Sequence, residues 1–446
     1  MATVADIPNE ILEHIFEFSH CVFDDTNNCN SVTGKGSPWT LTWVDHRWRE
    51  VAISAPQLWS YFYFSRLDQT PESLLELCLE RSRNYPLTIK FCNNNSFEAF
   101  VLETLIEHCD RWKSFTMNVK YIDMTYLDDI RDNIPQLEYL NLTISSPASD
   151  PIDLSAFCNA PRLTDVALNC PSGSVMPLPW RQLRSFEGAI DKMTHEFLGE
   201  CPNLQSYHLR RHHHKEHPHS EGLLLSPRRH RNLRNLNVKF MGELDFLQLP
   251  TLESLTILAP SEFTTSSLTQ FVVNSNCQLT HFSLGYLTTI DVSDLIQFFH
   301  LTPFLETLAL SLNTDHQRDV DALFSALSYP TPVDPDNMSS ILLPFLEVIS
   351  LTLYPYTPRL SSSRSISQSS SSSSSGFSSS ITPVAFSHDS FLSMLETRWF
   401  VSAEINLAQL IKCTVQTFEK IDKDFIDRTR RVEEDGMEFR LLRVRW

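Results

Sequence analysis

Glycine is scarce in this chain, with 10 residues among 446, and only Gly34 and Gly36 stand close together. Their surroundings match neither G-x-G-x-x-G nor G-x-x-x-x-G-K-[ST], the two patterns in which glycines let the backbone cradle a phosphate. The 10 cysteines are scattered and form no C-x-x-C pair. No apolar run approaches the roughly 18 residues that a membrane-spanning helix needs. The sequence therefore offers no phosphate-binding loop, no cysteine framework and no membrane span.

Basic residues are also in short supply. The chain has 36 Lys and Arg against 54 Asp and Glu, which gives a formal net charge of −18 at pH 7. A general nucleic-acid binder needs a broad basic surface to displace phosphate counterions, so we expect no nucleic-acid partner. The first residues show neither the basic nor the apolar segment of a secretory signal. Because scattered cysteines suit a reducing compartment, we expect a cytoplasmic or nuclear protein with no membrane partner.

Catalytic and metal-binding patterns are missing as well. Neither G-x-S-x-G nor H-E-x-x-H occurs, and no spacing joins a nucleophile to a base. The densest group of candidate metal ligands is a histidine run beside several arginines: His212, His213, His214, His217 and His219. Ordered zinc sites need ligands on rigid elements, so we interpret this run as a solvated basic loop, suited to an acidic or phosphorylated partner or to nuclear targeting. We expect no catalytic residue, no metal and no cofactor, and hence a protein that is not an enzyme.

A pattern recurs through the middle of the chain. It reads L-x-x-φ-x-φ, where φ is apolar, and Pro135 to Leu142 is a clear copy. The alternation of its last three positions predicts a short strand with two side chains facing one core. The leading residues are spaced 19 to 29 residues apart, with a final gap of 41, and are Trp112, Leu137, Leu163, Leu183, Leu204, Leu233, Leu252, Leu279, Leu305 and Leu346.

Apolar stripes with helical spacing occupy several gaps between these copies, for example residues 96–106 and 294–299. A strand and a helix repeated at this period are typical of leucine-rich repeats. We therefore predict an α/β fold with a curved leucine-rich-repeat solenoid over residues 66–360, the alternative being an ordinary α/β domain with unrelated strands. We also predict a Ser-rich disordered insertion over 361–385, and a C-terminal repeat and cap over 386–446.

Residues 1–65 form a separate module with short apolar stripes. One helix is predicted to begin near Pro8, where proline at a first-turn position costs no hydrogen bond. Three short helices cannot bury this much apolar surface within about 60 residues, so the stripes either meet another protein or pack on the repeats. The first stripe is Ile11, Leu12, Ile15 and Phe16, the second is Leu41, Val44, Trp48 and Val51, and Ala55 to Trp59 follows. Trp43 and Trp48 have helical spacing and are predicted to lie in the core or at an interface.

The order of these motifs resembles the F-box. The chain reads I-P-x-E-I-L-x-x-I-F from Ile7, W-V-x-x-R-W-R-E-V-A from Trp43, and A-P-x-L-W from Ala55. It is most similar to the form that precedes irregular leucine-rich repeats in large fungal F-box families, and the likeness covers about residues 5–62. The chain departs from the family at Asp45 and His46, where Cys and then Arg or Lys are usual. Burying Asp45 without a partner would be costly, so we expect it at the rim of the module.

The resemblance implies a function. An F-box binds a Skp-family adaptor, which ties it to a cullin-RING ubiquitin ligase, while the repeats hold a protein substrate. The chain would then be a substrate-recognition subunit; the alternative is a leucine-rich-repeat scaffold or receptor whose N-terminal helices cap the repeats. The residues implied to face or support the adaptor are Ile7, Pro8, Ile11, Leu12, Ile15, Phe16, Val44, Trp48, Leu58 and Trp59.

The substrate surface is predicted from strand alternation. Strand residues between two apolar positions point away from the core and would line the concave side of the solenoid. These residues are small or polar, with no charge beyond a protonated histidine, so we expect a mild, hydrogen-bonding surface. The candidates are Asn141, His208, Asn237, Thr256, Ser283 and Ser350, together with Ala167 and Ala309.

Deleting residues 361–380 should leave the melting temperature nearly unchanged. Fifteen of these 20 residues are serine, and only Ile366 and Phe377 offer a large apolar side chain. Ordering them would cost about 1–2 kcal/mol per residue with little burial in return. Thermal unfolding of the full chain and of the deletion variant, followed by circular dichroism, measures the effect. A fall of more than about 5 °C would mean that the segment packs on the rest of the protein.

Overall fold

The computed structural model divides the chain into two compact units, Met1–Glu221 and Gly222–Trp446, which we call unit 1 and unit 2. The predicted module 1–65 and the first part of the predicted segment 66–360 lie together in unit 1. The predicted insertion 361–385 and the histidine run 212–219 lie outside the described residues. The structure describes residues 7–20, 32, 36–64, 70–94, 99–119, 124–144, 151–171, 173–188, 194–209, 228–239, 241–258, 265–287, 292–313, 317–330, 341–354, 386–401, 407–417, 421 and 423–443.

Unit 1 contains seven strands that pair in chain order, each parallel to the next. Parallel neighbours require a crossover connection between every pair of strands, and the α-helices that follow β1 lie in these crossovers. The strands are β1 (Tyr61–Phe64), β2 (Leu87–Asn94), β3 (Trp112–Val119), β4 (Tyr139–Ile144), β5 (Asp165–Asn169), β6 (Ser185–Gly188) and β7 (Ser206–Leu209). The α-helices are α1 (Asn9–His20), α2 (His46–Ser54), α3 (Glu72–Ser82), α4 (Ala99–Ile106) and α5 (Thr194–Glu200).

Unit 2 also contains seven parallel strands that pair in chain order, and beside them a two-stranded sheet of β8 (Arg228–Arg229) and β10 (Leu247–Gln248). The seven are β9 (Asn235–Val238), β11 (Ser254–Ile257), β12 (His281–Leu287), β13 (Thr307–Asn313), β14 (Val348–Tyr354), β15 (Lys412–Thr417) and β16 (Glu438–Arg443). The α-helices are α6 (Thr265–Ser275), α7 (Val292–Leu301), α8 (Gln317–Leu327), α9 (His388–Trp399) and α10 (Lys423–Glu434).

Short 3-10 helices complete the described secondary structure. Six of them belong to unit 1 and one to unit 2. They are Trp39–Trp43, Pro56–Trp59, Cys109–Arg111, Met124–Ile130, Ser155–Phe157, Trp180–Gln182 and Met241–Glu243. Among the described residues, no helix combines the length and the apolar character needed to cross a bilayer.

The leading residue of each sequence copy anchors the core. All ten of them, from Trp112 to Leu346, are at most 1% exposed. Behind them, the apolar strand residues align in register: in unit 1 the partners of Phe115 are Ile89 and Leu140, and in unit 2 the partners of Leu308 are Phe282 and Ile349. The recurring pattern therefore corresponds to one buried residue at the start of each strand and to further buried residues along each strand, which align with those of the neighbouring strands.

The predicted curved leucine-rich-repeat solenoid is wrong, although the α/β class is right. Fourteen of the described strands, seven in each unit, pair in parallel and in chain order, but their connections do not repeat one strand–helix unit. Within the described residues, the connections from β4 to β5 and from β5 to β6 hold only 3-10 helices of three residues. Pro151, Pro161, Pro177 and Pro179 lie in these two connections, where they remove backbone donors that an α-helix would use. The spacing of the leading leucines predicts where the strands start, but it does not predict how the strands are connected.

Arg398 on α9 cross-links three segments of unit 2 from a fully buried position. Its guanidinium donates to the carbonyl oxygens of Leu327, Leu342 and Leu343, the last two at 2.7 and 3.1 Å. It also donates to the Tyr329 hydroxyl at 3.1 Å and lies 4.3 Å from the centre of that ring. Burial lowers the pKa of Arg398 to about 10, so the side chain remains a cation at neutral pH.

Replacing this arginine tests how much the cross-link contributes. We expect Arg398→Met to lower the free energy of unfolding by about 2–4 kcal/mol, because three buried carbonyls lose donors worth about 1–3 kcal/mol each while the cost of burying a charge disappears. Arg430→Met on α10 removes an exposed arginine and should change stability by less than about 0.5 kcal/mol. Urea unfolding measures both variants. Equal stability of Arg398→Met and the unmodified chain would mean that the cross-link is energetically neutral.

Candidate functional site

The N-terminal module, by which we mean the described residues 7–20 and 36–59, has a small complete core. Leu12, Phe16, Leu58 and Trp59 are each at most 1% exposed. The rings of Phe16 and Trp48 lie 4.8 Å apart between centroids, and the Trp59 indole N–H donates to the Ala52 carbonyl at 2.7 Å. These four buried residues were among the predicted adaptor contacts, and the structure places them beneath the surface, where they would act only as support.

Other apolar side chains of the module face outward. On α1 they recur at three- and four-residue steps, so they form one stripe along the helix. Two more are Trp43, at the end of the 3-10 helix Trp39–Trp43, and Val44, in the turn before α2. We call these five residues the apolar surface; they are between 43% and 77% exposed and comprise Ile11, Ile15, Phe18, Trp43 and Val44. Large apolar side chains at this exposure are the part of the module that its own core leaves uncovered.

The other residues predicted to contact or support the adaptor differ in exposure. Pro8 is exposed at the start of α1, whereas Ile7 and Trp48 are half-buried. Phe18 was not predicted as a contact, although its spacing continues the stripe of Ile11 and Ile15 and could have been read from the sequence. Trp43 was predicted only to lie in the core or at an interface.

Asp45 divides the second predicted helix in two. The sequence stripe from Leu41 to Val51 suggested one helix, but the chain forms a 3-10 helix, Trp39–Trp43, and then α2. Asp45 adopts an extended conformation between them, and its carboxylate accepts a hydrogen bond from the Trp48 N–H at 2.7 Å. This is the N-cap arrangement, which satisfies a helix N–H that has no partner within the helix. Asp45 is exposed, as expected, and its departure from the family pattern supplies a helix start.

Polar contacts hold the first helix onto the second. The Arg47 guanidinium on α2 donates to Asn9 Oδ1 at 2.9 Å and also to the Ile7 carbonyl, so the start of α1 rests on α2. The Gln57 amide donates to the Glu13 carboxylate. These contacts fix α1 relative to the rest of the module, and with it the direction in which the exposed stripe faces.

An aromatic–arginine cluster attaches the module to the rest of unit 1. The Trp39 and Trp59 rings meet edge to face, 4.9 Å apart between centroids. The Arg81 guanidinium, on α3, lies 4.3 Å from the Trp59 ring and 5.3 Å from the Trp39 ring, within the range of cation–π contacts. Trp39 and Trp59 therefore pack against α3 within unit 1, whereas Trp43 remains exposed. That the exposed stripe meets another protein stays a prediction.

The predicted substrate-surface residues fall into one row on each unit's sheet. In unit 1 Asn141 pairs in register with Thr116 and Ala167, and in unit 2 Thr256 pairs with Asn237 and Ser283. The full row of unit 1 is Tyr63, Lys90, Thr116, Asn141, Ala167, Glu187 and His208, and that of unit 2 is Asn237, Thr256, Ser283, Ala309, Ser350, Thr414 and Arg440.

The sequence prediction missed the charges in these rows. Lys90, Glu187 and Arg440 occupy the same register positions as the uncharged candidates. Lys90 and Arg440 lie on strands outside the ten copies of the pattern, whereas Glu187 lies in the copy led by Leu183 and could have been read from the sequence. Ala167 is buried, whereas His208 is exposed. The rows are therefore small and hydroxyl-rich in the middle of unit 2, with charged residues toward β2, β6 and β16.

Two further observations bear on the chemistry of the described residues. No three His, Cys, Asp or Glu side chains among them come close enough together to hold a metal ion. Burial raises the pKa of the Cys78 thiol to about 12, so this cysteine stays protonated at neutral pH.

No protein-family model matches the chain, and no curated protein is similar to it.

Removing the Asp45 cap should destabilise the module by about 1 kcal/mol, within the range of about 0.5–2 kcal/mol for lost N-caps. Asp45→Ala removes the acceptor of the Trp48 N–H, whereas Asp45→Asn keeps one and should retain nearly all the stability. Chemical denaturation followed by tryptophan fluorescence reports on this region. Equal stability of the alanine and asparagine variants would mean that the cap contributes nothing.

Proposed function

We propose that this chain is an F-box protein, the substrate-recognition subunit of a Skp-cullin-F-box ubiquitin ligase. In this proposal the N-terminal module binds the Skp-family adaptor, and the polar strand rows hold a protein substrate. Ubiquitin transfer takes place on another subunit, so the chain itself is not an enzyme. The protein would act where such ligases act, in the cytoplasm or the nucleus.

The observation that supports this proposal best is the apolar surface. Five large apolar side chains are exposed on a module whose own core is already filled by Leu12, Phe16, Leu58 and Trp59. Burying a fully exposed large apolar side chain is worth about 1.5–3 kcal/mol, so covering the exposed part of one of these residues is worth a corresponding fraction of that. Aromatic residues such as Trp43 and Phe18 are also the type that most often dominate interface energies. A partner protein with an apolar groove would gain most from covering them.

The matched motifs support the identity of the partner. Ile11 and Ile15 belong to the I-P-x-E-I-L-x-x-I-F segment, and Val44 belongs to W-V-x-x-R-W. Thus three of the five exposed residues are at positions implied by the F-box resemblance to contact or support the adaptor. Polar residues flank the stripe on α1: Glu10 and His14 are exposed, and Glu17 is half-buried.

A second candidate function is a scaffold outside any ligase, in which the N-terminal helices only cover the first strands of unit 1. The contact of Arg81 with Trp39 and Trp59 favours this second candidate, because the contact attaches the module to α3 in the rest of unit 1. That contact leaves Ile11, Ile15 and Phe18 uncovered, however, so it does not account for the apolar surface. Co-purification of the full chain with a Skp-family adaptor separates the two candidates.

Substituting exposed residues of α1 tests the proposed interface without disturbing the fold. We expect Ile11→Gln with Ile15→Gln to weaken adaptor binding by at least about 30-fold, equivalent to about 2 kcal/mol for the loss of central interface anchors. Stability should change by less than about 0.5 kcal/mol, because both side chains are exposed on a helix. Adaptor binding is measured by calorimetry and stability by thermal unfolding.

Two control variants separate interface from fold. Val273→Gln replaces an exposed apolar residue on α6 of unit 2 and should leave adaptor binding unchanged. Leu12→Ala removes a buried anchor and should cost about 2–5 kcal/mol of stability, so its effect on binding would be indirect. Full adaptor binding by the Ile11/Ile15 variant would place the interface elsewhere, and an unmodified chain that does not bind the adaptor would refute the ligase proposal.

A further inference from the structure

Strand β16 lies at the end of the strand order of unit 2. Its pairing with β15 runs in constant register from Glu438, opposite Lys412, to Arg443, opposite Thr417. Among the described residues, no strand pairs with the other edge of β16. The strand contains neither a proline nor a bulge, two devices by which natural sheets prevent further pairing at an edge. This edge of the described sheet is therefore regular and open to another strand.

The backbone of β16 directs hydrogen-bonding groups at that edge. The Glu438 N–H donates to the Ile411 carbonyl at 3.0 Å, so the backbone groups of Glu438 point toward β15. Successive residues of a strand turn their N–H and C=O groups to opposite edges, so Phe439 and Leu441 direct theirs away from β15. Within the described part of the chain, no strand bonds to these four groups. Each of them is a donor or an acceptor that an added strand could pair.

The side chains of β16 differ between its two faces. On one face Phe439 is buried, with its ring centroid 6.4 Å from that of Phe425 on α10. On the other face Glu438 and Arg440 are exposed, two residues apart and of opposite charge. The Glu438 carboxylate forms ion pairs with Lys412 at 3.0 Å and with Arg440 at 2.8 Å. A partner strand therefore has to match an apolar face on one side and a charge pattern on the other.

A second copy of β16 meets both requirements. When two copies run antiparallel about a two-fold axis centred on Phe439, Glu438 of each copy lies opposite Arg440 of the other. The two Phe439 residues lie opposite each other and exchange both of their N–H···O bonds, as their outward backbone groups allow. Axes centred on Glu438 or on Arg440 would instead place like charges opposite each other, which is unfavourable. Charged residues usually discourage pairing at a sheet edge, but in the register centred on Phe439 they attract.

We propose that β16 of one chain pairs with β16 of a second copy, which joins the sheets of two copies of unit 2 across a two-fold axis. The register is the one centred on Phe439, and each dimer carries two N-terminal modules. This interface goes beyond the proposed function and involves residues of unit 2 alone. Its failure would therefore leave the ligase proposal untouched.

Sedimentation equilibrium of the full chain over a range of concentrations tests the proposal. The unmodified chain should form a dimer with twice the mass of one chain. Glu438→Arg and Arg440→Glu, made separately, each place two pairs of like charges across the two-fold axis, so each should weaken dimerisation at least about tenfold. An equimolar mixture of the two variants should dimerise about as well as the unmodified chain. In the mixture the two introduced side chains lie opposite each other, as do the two retained ones, and both pairs have opposite charges.

Matched charge reversals at another exposed ion pair of unit 2 separate this register from general charge effects. Arg234 pairs with Glu253 at 2.7 Å, immediately before β9 and β11. Arg234→Glu and Glu253→Arg reverse the same charges, and each should change dimerisation less than about twofold. Thermal unfolding shows whether each variant is folded.

A monomeric unmodified chain would overturn the proposal, whether or not a segment of another protein binds the edge. Dimerisation that survives both reversals on β16, or that is lost equally in the Arg234 and Glu253 variants, would overturn it as well. So would a mixture of the two folded β16 variants that does not recover dimerisation.

Discussion

One hydrogen bond, repeated at the strand starts, sets the register on which the described surfaces depend. The N–H that follows the buried leading residue donates to the carbonyl of the equivalent residue one strand earlier, as from Glu138 to Lys113 at 2.9 Å and from Glu306 to Thr280 at 2.8 Å. A slip of one residue would turn every side chain of that strand to the opposite face. Burial of the leading leucine prevents such a slip. The polar rows exist because neighbouring strands start at the same point.

The aromatic residues of the N-terminal module fall into two groups. Trp39 and Trp59 pack with Arg81 and connect the module to the sheet domain, while Trp43 and the α1 stripe remain exposed. A small helical module cannot bury all of its apolar surface by itself, and here one side is covered from within the same unit. The exposed side is held in position by the bonds of Arg47 and Gln57, so a partner would meet a preorganised surface.

The sequence was informative where burial is periodic and uninformative where structure depends on local polar contacts. The leading residues from Trp112 to Leu346 could be predicted, because a buried position at a fixed point before each strand takes a large apolar residue that recurs along the sequence. The connections could not, because several of them are 3-10 turns whose apolar residues follow no helical period. In the module, the stripe on α1 was predicted, but its division into buried Leu12 and Phe16 and exposed Ile11 and Ile15 required the neighbouring helix. Asp45 shows a different limit: one capping side chain interrupted a stripe that periodicity alone describes as continuous.

The buried arginine of unit 2 also sets an order of events during synthesis. Its carbonyl partners at Leu327, Leu342 and Leu343 precede it by 71, 56 and 55 residues. At typical translation rates, a ribosome needs roughly 3–11 s to make the 55 residues between Leu343 and Arg398. During that interval the segment around Leu342 lacks the donor that its carbonyls bond in the finished protein. The second half of unit 2 can therefore reach its finished structure only after α9 has been made.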